Sequence, residues 1–143
     1  MVEINLVRFG ISMPDELLKE FDRYIAQRNY QNRSEAIRDL IRDKIVEKEW
    51  VSMEEGKDVV GVITFVYDHH KRELVHGLLD VQHKYSHQVL ASQHIHLDHN
   101  HCLEATIVKG KTETIIDLSN KIKSMKGVMH CKLSMTTTGK DII

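Results

Sequence analysis

Six of the chain's ten histidines and one of its two cysteines fall between Gln82 and Glu104: His83, His87, His94, His96, His99, His101 and Cys102. Neutral imidazole and thiolate are the side chains that bind borderline transition metals well. His94 and His96 flank a single residue, and a strand sends residues i and i+2 to one face, so both rings can address one ion. Leu97 to His101 reads as a tight polar turn, after which Cys102 opens a returning strand close to His96. A lone His-x-His pair is ordinarily just a polar strand, and a histidine-rich loop beside a buried cysteine needs no metal. The cysteine six residues past the second histidine, with a further histidine upstream, tips the balance to metal binding.

The elements that must position these groups are bounded by size. With 143 residues the chain holds one ordinary domain or two small ones. No apolar run approaches membrane-spanning length and no signal-like segment opens the chain, which predicts a cytoplasmic protein. Cys102 and Cys131 need not pair in that compartment, so Cys131 reads as a packing residue. Net charge is −1, and the first fifty residues carry nine Lys and Arg against ten Asp and Glu. Total charge therefore announces no nucleic-acid partner. A DNA-binding case rests on where the arginines point.

Residues 6–13 alternate strictly: Val7, Phe9, Ile11 and Met13 on one face, Arg8, Gly10 and Ser12 on the other. This predicts a short strand with one wet face. Pro14 then starts a helix buried through Leu17, Leu18, Phe21, Tyr24 and Ile25, with Asp15 and Glu16 at its positive end. Arg28 to Gln31 breaks the pattern. Asn32 with Glu35 makes an amide-capped variant of the capping box, starting a second helix with Ala36, Ile37, Leu40, Ile41 and Ile45 as its apolar positions. One strand and two helices bury little, and a lone strand leaves its backbone groups unpaired, so a homodimer is expected.

Residues 50–58 lose periodicity and read as a linker, dividing a domain at 1–49 from one at 59–143. The second half reads strand (59–67), helix (71–85), strand (89–97), strand (102–108), helix (111–125), strand (128–135), with Gly127 as the second helix's C-cap. That βαββαβ order is the ferredoxin-like pattern, in an α+β fold. Residues from Met135 onward read as a frayed tail.

Two strands of the 6–13 type paired across a dimer axis make a ribbon that fits the major groove of DNA, with Arg8, Gly10 and Ser12 facing the bases. The start of the second helix, with Arg33 and Ser34, is suited to hold a phosphate. An amphipathic edge strand with no such role explains the pattern equally well.

The strand together with Asn32-Arg33-Ser34-Glu35-Ala36-Ile37-Arg38-Asp39 resembles the ribbon-helix-helix family. The whole of residues 6–135 resembles the NikR family of nickel-responsive ribbon-helix-helix regulators, through His83-x10-His94-x-His96-x5-Cys102-Leu103-Glu104 and Val66-Tyr67-Asp68-His69. The resemblance implies an N-terminal ribbon-helix-helix (βαα) domain and a C-terminal ACT-like ferredoxin-type domain that assembles a homotetramer, a dimer of dimers. It implies one Ni(II) per subunit in a square-planar site built from His94, His96 and Cys102 of one chain and His83 of a neighbour. Such a planar field suits Ni(II) or Cu(II) better than Zn(II). Glu104 and Tyr67 match positions the family uses near the site, and Gln82 adjoins His83; groups of this kind orient metal-bound imidazoles. Glu35 and Asp39, four apart on one helical face, match a secondary cation site of lower selectivity, although two solvated carboxylates pairing with arginines explain them nearly as well.

The function implied is a nickel-dependent transcription regulator, a repressor of nickel-uptake genes that binds double-stranded operator DNA and takes no small-molecule substrate. The family often has a hydroxyl residue where this chain has Gly10, which shifts base readout to Arg8 and Ser12. His69, His70, His87, His99 and His101 lie outside the four-ligand pattern and read mostly as solvated. His99 and His101 are candidates for extra metal, and His101 a competitor for the primary ion. Other classes remain beside this one. A catalytic zinc site with Glu104 as base would make the chain an enzyme, but the fourth histidine argues against it. A nickel chaperone or store is the closest non-DNA alternative, separable by a gel shift with and without Ni(II); an antitoxin would have a disordered tail where residues 59–135 are periodic, and nothing marks an amino-acid-sensing ACT ligand.

Overall fold

A computed structural model of the chain describes residues 4–52 and 57–143. The chain divides into two compact units, the first ending at Ile41 and the second running from Arg42 to Ile143.

In the first unit, α1 spans Asp15–Gln27 and begins after Pro14. Ile25 is its one buried residue, while Leu17 stays exposed. The break after α1 turns at Asn29, whose φ of 59° is a left-handed conformation that asparagine tolerates. The next helix, α2, spans Arg33–Ser52, and the Asn32 Oδ1 accepts the Glu35 amide at 2.9 Å, the predicted cap. The predicted strand over 6–13 does not form. A strand needs a ladder partner, and among the described residues the single chain offers these residues none. Ile4, Leu6, Val7, Phe9 and Ile11 are all exposed, and so are Leu40, Ile41 and Ile45 of α2. Of the apolar face expected for α2, only Ala36 is fully buried.

In the second unit the βαββαβ order is present: β1 Val59–Asp68, α3 Arg72–Lys84, β2 Val89–His96, β3 His101–Gly110, α4 Thr112–Ser124 and β4 Val128–Thr136. The four strands form one antiparallel sheet in the order β2-β3-β1-β4. β1 alternates buried and half-buried along its length, as a strand covered on one face must. Its buried side, with Ile63, Phe65 and Tyr67, meets Leu74 and Leu78 of α3 and Ile115, Leu118 and Ile122 of α4. Each large apolar side chain buried there contributes about 1.5–3 kcal/mol.

Three boundaries differ from the sequence reading. Trp50 to Ser52, taken for linker, continue α2. Trp50 is buried in the core of this unit and donates from Nε1 to the Thr136 carbonyl at 2.9 Å. Gly61 makes room for it: a Cβ there would lie 3.2 Å from the indole and 3.1 Å from the Ser134 carbonyl oxygen. The rest of the expected linker lies partly outside the described residues. The same bond ties down Thr136, so the fraying expected from Met135 onward does not begin there, and Arg42 Nε donates to the Ile143 carbonyl at 3.0 Å. Finally, Met125 is the C-cap of α4, and Gly127 serves the following turn with a φ of 101°.

Candidate metal centre

The β2–β3 register builds the site. His96 pairs with Cys102 and His94 with Glu104, while Tyr67 of β1 pairs with Cys102 from the other side. Cys102, Glu104 and Tyr67 are buried, so the two histidines share the helix-covered face of the sheet with them. The connection is the short polar turn expected: the Leu97 amide donates to the His101 carbonyl at 2.9 Å. Asp98 Oδ1 accepts the amides of Asn100 and His101, each at 2.8 Å.

Cys102 Sγ lies 3.3 Å from His96 Nδ1 and 3.2 Å from His69 Nδ1. These three donors form a group able to hold one ion. His69 is thus not the solvated residue the sequence suggested. It follows β1 directly, and β1 runs beside Cys102; the signal lay in Val66-Tyr67-Asp68-His69, but only the strand register turns it into proximity. Burial, and then the imidazoles of His70 and His96, lower the pKa of His69, favouring the neutral ring that binds metals. The His94 ring sits 5.1 Å from that of His96 and 6.0 Å from that of Tyr67, close by but outside the three-donor group. His83, exposed in the last turn of α3, joins no such group among the described residues.

The surroundings suit a cation. Burial pushes the Cys102 thiol up, and the charges of Asp68, Asp98 and Glu104 add to this. A divalent ion reverses that balance, since it favours thiolate and is attracted by the same carboxylates. Glu104 is the hub behind the donors. It accepts from Tyr67 Oη at 3.3 Å, Gln82 Nε2 at 2.5 Å and Ser92 Oγ at 2.7 Å. Thr106, fully buried, stands 3.2 Å from the Ser92 hydroxyl. Tyr67 is shifted far upward by burial first and by Glu104 second, so its phenol keeps the proton it donates. One carboxylate thereby links the helix end bearing His83 to the strands bearing His94, His96 and Cys102. Sequence reasoning named Glu104, Tyr67 and Gln82 but missed Ser92 and Thr106, which only the register brings together.

His101 lies on the face opposite Cys102, since residues adjacent along a strand point to opposite faces, and its Nδ1 is 2.7 Å from Asp98 Oδ2. His70 Nε2 meets the His99 carbonyl at 3.0 Å, with the two rings 5.2 Å apart. Asp68, His69 and His70 form a second possible cation group that shares His69 with the first.

In the first unit Arg8, Gly10 and Ser12 are exposed, and a Cβ on Gly10 would meet nothing within 4 Å. Arg33 makes a two-point pair with Asp22, at 2.8 and 2.9 Å, and each group shifts the other toward its charged form. The pair is exposed, so solvent screens it and it contributes little to stability. Ser34 is exposed beside it. Glu35 accepts from Arg38, and Asp39 accepts from Tyr30 Oη at 2.8 Å; among the described residues neither carboxylate belongs to a group of three or more metal donors.

The chain thus carries a two-helix unit preceded by the alternating stretch 6–13, and a ferredoxin-like unit bearing imidazoles and a thiol. The profile of the NikR C terminal nickel binding domain matches residues 60–136, and that of the ribbon-helix-helix protein, copG family, matches residues 7–48. A protein of Syntrophus aciditrophicus assigned as a nickel-responsive regulator is 51% identical over 95% of this chain and 97% of its own length. One from Thermococcus kodakarensis is 48% identical over 98% of this chain and all of its own. Among solved structures, an uncharacterized protein of Thermotoga maritima shares the fold at a TM-score of 0.52 and 18% identity, covering 57% of this chain and all of that one. The chain belongs to the NikR family of nickel-responsive transcription regulators. Its C-terminal domain is the nickel-binding one. Among the described residues no helix is long and apolar enough to cross a membrane.

Proposed function

We propose that the chain is a nickel-dependent repressor of nickel-uptake genes, acting in the cytoplasm on double-stranded operator DNA and having no catalytic role. His94, His96 and Cys102 of one copy and His83 of a second hold one Ni(II) per subunit, within a homotetramer made of two ribbon dimers. The observation that carries this reading is the β2–β3 register, which sets His94, His96 and Cys102 on one face of the sheet. Cys102 is buried, His94 and His96 are open to solvent, and His83, also exposed, joins no three-donor group of its own chain among the described residues. An exposed donor at a helix end is well placed to serve a neighbour.

Assembly has support of its own. The sheet face away from the helices carries Val62 and Val66 beside Leu103 and Ile107, with Ile95 at the edge, and Ile95 and Ile107 are exposed. In the first unit, Val7, Phe9 and Ile11 would be covered by an antiparallel strand of a second copy, which would also pair the ladder groups. Arg8 and Ser12 then face the bases, with Gly10 leaving space between them, and Arg33 and Ser34 take a phosphate once Asp22 gives way.

When bound, Ni(II) supplies strong bonds that span two copies. Residues 82–104, ligating across that interface, favour the DNA-competent arrangement over others, and operator affinity rises only by that preference. Glu35 and Asp39 are retained as a secondary cation site that competes with Arg38 and Tyr30 for the same oxygens. A second ligand set has its own support: His69, His96 and Cys102 converge within one chain.

Gel shifts on the chain's own upstream DNA, with and without Ni(II), test the reading. Cys102→Ala or His94→Ala should abolish the nickel-dependent shift and leave a folded tetramer. His69→Ala should leave it intact; if His69→Ala abolishes the shift and His94→Ala does not, the three-donor set is the working one. Arg8→Ala should keep nickel binding and lose sequence preference. A shift that is the same with and without nickel in the parent would overturn the regulator reading.

A further inference from the structure

His83 is exposed in the last turn of α3. What fixes its position is the end of α3, and that end is fastened through the residue two places on. Tyr85 is the C-cap of α3: its amide donates to the Val81 carbonyl at 3.1 Å. Its own carbonyl accepts the amides of Gln88 at 2.9 Å and Val89 at 3.1 Å, turning the chain into β2. The ring is buried in the core of the unit, 7% exposed. At its tip the hydroxyl donates to Asp117 Oδ2 and accepts from Lys121 Nζ at 2.7 Å. Asp117 and Lys121 are one turn apart on α4 and lie 3.5 Å from each other.

We propose that Tyr85 is a positioning residue for the trans metal ligand: by clamping the last turn of α3 to Asp117 and Lys121 of α4, it holds His83 where a second copy's metal can take it. This rests on the reading that His83 ligates across copies. Both bonds at the hydroxyl are to charged groups, the stronger kind, and they act on the one helix end whose placement the site needs. Glu104 holds the same turn through Gln82, so the turn bearing His83 is fastened both to the sheet and to α4.

Tyr85→Phe keeps the buried ring and removes only the clamp. Ni(II) affinity of the full chain, read by chelator competition, should fall about tenfold, within the range seen when groups behind metal ligands are removed. In a His83→Ala background the same change should cost nothing, because the residue it positions is gone. The Ni(II)–thiolate absorption band of Tyr85→Phe should move toward that of His83→Ala. A Tyr85→Phe chain that binds and absorbs like the parent would overturn the proposal, as would an equal loss in both backgrounds, which marks general stability instead. If His83→Ala alone binds Ni(II) like the parent, the trans-ligand reading itself fails.

Discussion

Residues 6–13, alternating apolar and polar, and β1, a nearly continuous apolar run, both read as strands, and they end in opposite states. Along β1 the apolar residues alternate between buried and half-buried, since β3 and β4 flank it and two helices cover one face. Along the N-terminal stretch Val7, Phe9 and Ile11 stand 81%, 71% and 56% exposed. Alternation states which face wants burial but not who provides it. The second unit answers from within one chain, and the first asks for another chain. The second unit thus completes its sheet within one chain, while the first leaves its apolar stretch uncovered among the described residues.

The largest expected break of that contrast is Phe9→Asp. It places a charge on the face a second copy must cover, so operator binding should be lost outright in a gel shift. Nickel stoichiometry should stay at the parent value, because the sensor does not depend on the ribbon. Loss of nickel binding as well would mean the two units are not separable.

Trp50→Ala probes the other side. It removes a buried indole and its bond to Thr136, and should cost the second unit about 3–5 kcal/mol in a denaturant melt. Trp50→Phe should cost only about 1 kcal/mol, the net worth of the lost hydrogen bond. A smaller effect of Gly127→Ala follows from its φ of 101° and from Leu74 Cδ2, 2.9 Å from where a Cβ would sit. About 1–3 kcal/mol of strain is expected in the same melt.

The smallest effect belongs to Asp22. Arg33 holds its carboxyl below the ordinary value of 3.8. A depressed folded-state pKa contributes stability that is present above the unfolded value and lost as pH falls through the folded one. Asp22→Asn should therefore flatten the acid limb of the first unit's stability below about pH 4, with little change at neutral pH, where solvent screens the pair. An unchanged acid limb would remove Asp22 from the account.

Much of the second unit was legible because its periodicities are long and its turns are marked: the hairpin at Leu97 to His101 stands where the residues indicate, as does the Asn32 cap in the first unit. Trp50 was misread because Ser52, Gly56 and the acidic residues around it resemble a linker, whereas one indole finding the Thr136 carbonyl decides its membership. The metal donors were legible by type. His69 was not, because its closeness to Cys102 depends on how β1 pairs with β3, and a single sequence does not state a register. Ser92, Thr106 and the clamp at Tyr85 were hidden for the same reason: each is a polar contact made between elements far apart in the chain.

The claim that one nickel is shared between copies is tested most directly by complementation. His83→Ala and Cys102→Ala chains, each carrying a different tag, are co-expressed and the mixed assembly is purified through both tags. Neither variant alone should bind Ni(II) with the parent's affinity. Each mixed pair should recover one parent-like site, made from the intact Cys102 of one copy and the intact His83 of the other. No recovered site in the mixed assembly would contradict the shared coordination on which the rest depends.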